Sequence, residues 1–497
     1  MKKWLAFIFC GSLASGLFAT QPDEWTALSE QAKKHLIHLI NINTSQPQPQ
    51  ELKAARYIYK EFNKHKIDWD IFIPVKGRAN LLARLKGTDP EQKPLLLISH
   101  LDTVPAGEGW TESPFQATVK DGRIYGLGAT DAKNYTAAYL ALFTFLADQP
   151  TRPQRDIIFL ATAGEESGSE PGLLWLGSTY WDKIAPGYAL SEGGGIIPNE
   201  DGPAIVFAEA SSKMYMDIKI TARGDETHAA VPTDHNAVYT LSEALAKISA
   251  FNPTARITPI ARTFFQSLLP LQDEDGQTTI QFLLGENEQN QQSAAELLAQ
   301  DPFFRTQIKD TFSPTLLSAS SQEANATSGE ASALLNVRLL PGSDPDEFFK
   351  NLQNLFEDNP AISLEIIERP QLPFPDPMDG SDALFASIQK TAGRLWPGAI
   401  TVPGLNPASG DNELLRRLGV ITYGLGPEID VQIENTAHTP NEFINENDFF
   451  KQLQFIAGIV FDFAYGQDLL SLPDSVSADT PETPDLQSLE QQGENHD

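Results

Sequence analysis

The stretch Leu95-Leu96-Leu97-Ile98-Ser99-His100-Leu101-Asp102-Thr103-Val104-Pro105 sets the fold class. Leu95 to Ser99 is continuously apolar or small rather than alternating, which predicts a strand covered on both faces. It ends on a histidine, with an aspartate two positions later. Asp156 to Ala161 is a second such run, ending at Gly164-Glu165-Glu166. Between the two, Tyr135 to Leu146 repeats apolar residues at helical spacing. Strand, helix and strand at this separation predict parallel pairing through a crossover helix. Polar residues just beyond the carboxyl ends of such strands fall where open α/β sheets bind ligands. Upstream, Asp23 to Phe62 reads as helical.

The middle of the chain follows another pattern. Met214 to Ile220 and Ala333 to Leu339 alternate, as half-exposed antiparallel strands do. A helix, Val238 to Phe251, lies between them, and the polar stretch Gln272 to Gln300 reads as an elaboration of the same unit. Residues 212–370 are therefore expected to form an α+β domain inserted into an α/β domain made of 21–211 and 371–466. In the second part, Gly380 to Leu395 reads as a helix, Ala408 to Leu418 as a turn and helix, and Val420 to Leu425 as a strand.

The chain has 497 residues, 41% of them hydrophobic, ample for two cores. Its formal net charge of −30 argues against nucleic acid and anionic membrane surfaces as partners. Lys2 and Lys3, the apolar run Trp4 to Phe18 and Ala19 read as a secretory signal over 1–20, with a periplasmic or secreted mature protein free of the membrane. Cys10, the single cysteine, falls inside that segment. The mature chain then has no disulfide, and any metal ligation falls to His, Asp and Glu. Residues 467–497 are acidic and rich in Pro, Ser and Gln, a composition expected to be disordered.

Five segments carry ligand-type residues. His100 ends a buried strand, and Asp102 is placed to accept its second ring proton and fix its tautomer. Asp131, in Gly126-Leu-Gly-Ala-Thr-Asp-Ala-Lys133, stands at a helix start, where it serves equally as a cap. Glu165 and Glu166 are adjacent, so their side chains diverge. Glu192 follows a short apolar stretch, and His438 lies in the turn Ala437-His-Thr-Pro-Asn-Glu442. Each segment alone also reads as a strand-end cap or a solvated turn. Together, two histidines and three carboxylates suit a pair of divalent ions sharing one acid, with one further glutamate left to move a proton.

These segments, in this order, resemble the metallopeptidase family of aminoacylase, glutamate carboxypeptidase, succinyl-diaminopimelate desuccinylase and yeast carboxypeptidase S. The likeness spans about Asp23 to Gly466. It is strongest to the carboxypeptidase S branch from His100 through Trp110, Phe115, Asp121-Gly122 and Tyr125-Gly126 to Asp131. The resemblance implies a zinc-exopeptidase α/β domain with an inserted α+β lid, or dimerisation, domain. It implies two zinc ions, replaceable by Co2+ or Mn2+, one held by His100 and Glu192, the other by Glu166 and His438, with Asp131 between them. Glu165 would be the general base, Asp102 would orient His100, and a cis peptide would follow Asp131. His228, in Gly224-Asp-Glu-Thr-His-Ala-Ala-Val-Pro232, would stabilise the oxyanion, often from a neighbouring subunit. Asn325 and Arg338 would grip the carbonyl and carboxylate of a small N-acyl amino acid or short peptide. Glutamate rather than aspartate at 192 goes with aminoacylases and carboxypeptidases in that family.

One departure bears on the substrate. Many relatives have Thr-Asp-x-Arg where this chain reads Gly410-Asp-Asn-Glu413, and a glutamate there would repel a second anionic group. Within enzymes, the alternative is a di-zinc aminopeptidase or dipeptidase acting on free-amine peptides. Outside them, it is a non-catalytic metal-dependent binding protein. Monomer and lid-mediated homodimer both fit.

Overall fold

The computed structural model describes residues 22–47, 49–198, 203–321, 323–428 and 436–466. The expected secretory signal and acidic tail lie outside the described residues.

A nine-stranded sheet runs in the order Trp69–Val75, Arg78–Leu85, Ile157–Thr162, Leu95–His100, Tyr188–Ser191, Ile421–Gly424, Ile205–Ser212 and Ile400–Asn406, with Gly195–Ile197 pairing on Ile205–Ser212. At its centre Leu95–His100 pairs in parallel with Ile157–Thr162 and with Tyr188–Ser191. The first of these connections is the crossover helix Lys133–Asp148. Every residue of Leu95–His100 and of Ile157–Thr162 is buried, because helices cover both faces. The fold is thus α/β with a sheet parallel at its centre, as the unbroken apolar runs predict.

The helical reading of Asp23 to Phe62 divides in two, Pro22–Ile40 and Glu51–Lys64. Pro47 and Pro49 lie in the break; proline has no N–H for a helical ladder.

A four-stranded antiparallel sheet, Thr311–Ala319, Glu330–Leu339, Met214–Arg223 and Ile362–Glu368 in that order, forms the second unit. Glu330–Leu339 alternates buried and half-buried residues along its whole length. Its inner face packs on the helices Ala237–Ser249 and Pro345–Asn354. The stretch Gln272 to Gln300 does not join this unit's core. Its helices Glu274–Leu284 and Glu288–Leu298 pack with Pro259–Leu268 and Pro302–Ile308 around Phe207 and Val402, on the last two strands at one end of the large sheet. The reason is the apolar stripe Ala261, Phe264, Phe265 and Leu268, which finds its partner there.

Candidate metal centre

The carboxyl ends of the central strands converge on one cleft. His100 is the last residue of its strand, Glu165 and Glu166 occupy a short 3-10 turn after Ile157–Thr162, and Glu192 follows Tyr188–Ser191. Asp131 precedes the crossover helix through a cis Asp131–Ala132 peptide. His438 arrives from the turn before Phe443–Asn445, a strand of a small three-stranded sheet.

Asp131 stands between the two imidazoles. Its Oδ1 is 2.9 Å from His100 Nε2, and its Oδ2 is 3.1 Å from His438 Nε2. His100 Nε2 is also 3.4 Å from Glu192 Oε2, and His438 Nε2 is 3.3 Å from Glu166 Oε1. Two ligand sets result, His100–Asp131–Glu192 and Asp131–Glu166–His438, each with donor atoms within 4.8 Å of one another. So many acids in one place disturb each other's protonation. Burial and the facing carboxylates push Glu192 up to about 7, and burial raises Glu165 well above the usual range. Hydrogen bonds to Asp131 and Glu166 push His438 up to about 11. Burial would depress His100, but Glu192, Asp102 and Asp131 outweigh it and raise it.

Asp102 is buried and has a different geometry from the expected ring contact. His100 Nδ1 lies 2.9 Å from the main-chain oxygen of Asp102, while the carboxylate stands 3.6 Å away. That carboxylate instead accepts the N–H of Gly164 at 2.8 Å and of Glu165 at 3.2 Å through Oδ1, and Gln46 Nε2 at 3.2 Å through Oδ2. The turn needs glycine at 164: φ is +78°, and a Cβ would come within 2.5 Å of Pro171.

Two clusters not assigned from the sequence brace the site. Glu442, 1% exposed, accepts the N–H groups of Gly128, Thr130 and Asp131 and the Thr130 hydroxyl at 2.8–3.3 Å. It thereby ties the His438 segment to the loop that carries Asp131. Glu209 pairs with Arg416 at 3.1 Å and accepts Asn412 Nδ2, which also donates to the main-chain oxygen of Glu192. The signal for Glu442 in the sequence is its place four residues after His438. For Glu209, inside a strand, there is no comparable signal.

The cleft, about 940 Å³, is lined by Asp131, Glu165, Glu166, Glu192 and His438 and, from the second unit, by Arg338. Arg338 donates to Ser409 Oγ at 2.9 Å and lies over the Tyr215 ring at 4.7 Å. Asn325 and His228 are elsewhere. They sit side by side, exposed, Ala229 N–H donating to Asn325 O at 2.7 Å, and neither lines the cleft. They lie beyond the far end of the strands that carry Arg338; from 338 to 330 alone is about 26 Å of strand. Glu413 lines the cleft, but its charge is met by Arg417, which also holds the main-chain oxygens of Gln371 and Pro373. This pairing removes much of the repulsion expected of an unpaired glutamate there.

Two imidazoles and three carboxylates, gathered in two overlapping sets that share Asp131, fit a pair of divalent cations. An α/β domain that gathers such a set at its strand ends, with a second domain lending a guanidinium, defines a metallo-hydrolase. Residues 96–462 match the model of peptidase family M20/M25/M40, and the chain belongs to that family. It is 29% identical to a probable succinyl-diaminopimelate desuccinylase of Staphylococcus aureus (strain MSSA476), over 74% of this chain and 82% of that one. It is 24% identical to the N-fatty-acyl-amino acid synthase/hydrolase PM20D1 of Mus musculus, over 80% of this chain and 79% of that one. Human carnosine dipeptidase 1 shares the fold, with a TM-score of 0.66 at 15% identity over 88% of this chain and 96% of that one.

Proposed function

We propose that the protein hydrolyses an amide or peptide bond in small N-acyl amino acids or short peptides that carry a free carboxylate. The observation that carries this reading is Arg338 facing the same cleft as Asp131 and Glu165. In it, His100 and Glu192 hold one zinc ion, Glu166 and His438 the other, and Asp131 serves both. When bound, such a pair supplies Lewis acidity and lowers the pKa of water at neutral pH.

The chain's own groups supply the rest. Glu165 takes the proton of the attacking water and returns it to the departing amine. Burial favours its protonated form, which suits the second half of that task. Asp102 holds the Glu165 turn through its amides. Arg338 binds the substrate carboxylate as a two-donor fork. Asn325 and His228 act on the cleft of a second copy, docked along the exposed edge strand Thr311–Ala319, where Leu316 and Leu317 are 64% and 69% exposed. The leader-like residues 1–20 support a periplasmic or secreted mature protein.

A panel of N-acyl amino acids, dipeptides and C-terminally amidated free-amine peptides, run on zinc-reconstituted protein, tests this. Turnover of blocked substrates with a free carboxylate, with a KM that rises in Arg338→Ala, is the expected result. Turnover restricted to amidated free-amine peptides overturns it in favour of an aminopeptidase.

A further inference from the structure

A second cavity, about 1010 Å³, adjoins the metal cleft across Ser167. Its walls include Leu52, Trp175 and Val75, the last 56% exposed. Its lining carries four cations, Lys53, Arg56, Lys76 and Arg78, and one acid, Glu170, among the described residues. Arg78 is engaged by Glu51 at 2.7 Å. Lys53, Arg56 and Lys76 are exposed and have no ion pair or side-chain hydrogen bond among the described residues.

This balance runs against that of the whole chain, in which 66 acids face 36 cations. Cations scattered on a convex surface need nothing but water. Here they rim a concavity whose apolar wall water serves poorly, and its volume is that of a small-molecule site. The molecule's overall field repels anions, so only a local group of uncompensated cations could retain one. An apolar body would cover Trp175 and Val75 while a charged head met Lys53, Arg56 and Lys76.

We propose that this cavity binds an amphipathic anion, an aliphatic or aromatic carboxylate, at a site distinct from the hydrolytic cleft. The test is titration calorimetry of dodecanoate into full-length, zinc-loaded protein at low ionic strength. One saturable site is expected, weakened at least about tenfold in Lys53→Glu/Lys76→Glu and strengthened by neither added salt nor a cationic head group. Arg338→Ala should bind dodecanoate as the parent does. Both lysines are exposed, so the fold should survive their reversal, and Val75→Asp gives an independent variant with the same expected loss. Affinity unchanged in the lysine and Val75 variants overturns the proposal. So does loss of binding in Arg338→Ala, which would put the anion in the hydrolytic cleft, and so does the lack of any saturable binding.

Discussion

The carboxylate of Asp102 reaches Glu165 through the main chain, accepting its N–H at 3.2 Å and that of Gly164 at 2.8 Å. Asp102→Ala would strand two inward-facing N–H groups, each costing roughly 1–3 kcal/mol, and loosen the turn on which Glu165 stands. Turnover should fall about 10–100-fold, as for other lost supports of a metal site. Glu165→Gln should fall further, roughly 10²–10⁴-fold, with bound metal unchanged by elemental analysis. Steady-state kinetics beside metal content check both; an active Glu165→Gln variant would remove Glu165 as the base.

Metal removal should abolish turnover and lower the melting temperature together. The cleft brings Glu192 and Glu166 each within reach of Asp131, and bound cations would relieve the repulsion among them. A metal present at about 100 times its Kd stabilises the fold by roughly 2.7 kcal/mol. Dialysis against chelator followed by zinc, cobalt or manganese should restore both properties. Full activity with no metal detectable by elemental analysis would contradict the assignment.

Glu209 and Arg416 form an ion pair whose side chains are 2% and 1% exposed. Arg416→Met would leave a buried carboxylate without its counter-charge, a loss of about 3–5 kcal/mol. Glu209→Gln/Arg416→Met should regain most of it, because neither charge then remains buried. Urea unfolding of the three proteins decides: equal stability of parent and Arg416→Met would show the pair to be idle.

His35, 4% exposed and 2.6 Å from the Tyr57 hydroxyl, has its pKa lowered by burial to about 4. The unfolded chain therefore binds a proton at a higher pH than the folded one. Stability from this group is complete above pH 6.5 and is lost as pH falls from there towards 4, on the order of 3 kcal/mol over the whole shift. His35→Phe should flatten the pH dependence of urea unfolding in that window relative to the parent. An identical slope in both would refute the burial effect.

Reading the chain alone is enough for the α/β class and for the strand ends that bear His100, Glu165, Glu166 and Glu192, because burial on both faces forces an unbroken apolar run and chemistry can begin only where the run stops. It is also enough to gather Asp131 and His438 through their resemblance to a known family. What it does not reach is how the pieces meet. Sequence spacing carries no information about which edge an apolar stripe will cover, so the helices from Pro259 to Ile308 came to lie on the large sheet. Nor does it say that Asp102 serves the amides of its neighbour turn, that Glu442 clamps the Asp131 loop, or that Arg417 neutralises Glu413. The first two are contacts between segments tens to hundreds of residues apart, where packing alone sets the distance, and the third is one turn of a helix whose place at the cleft packing decides. The same geometry puts Arg338 at the cleft and His228 beyond the opposite end of its sheet, since a strand of ten residues holds its two ends apart.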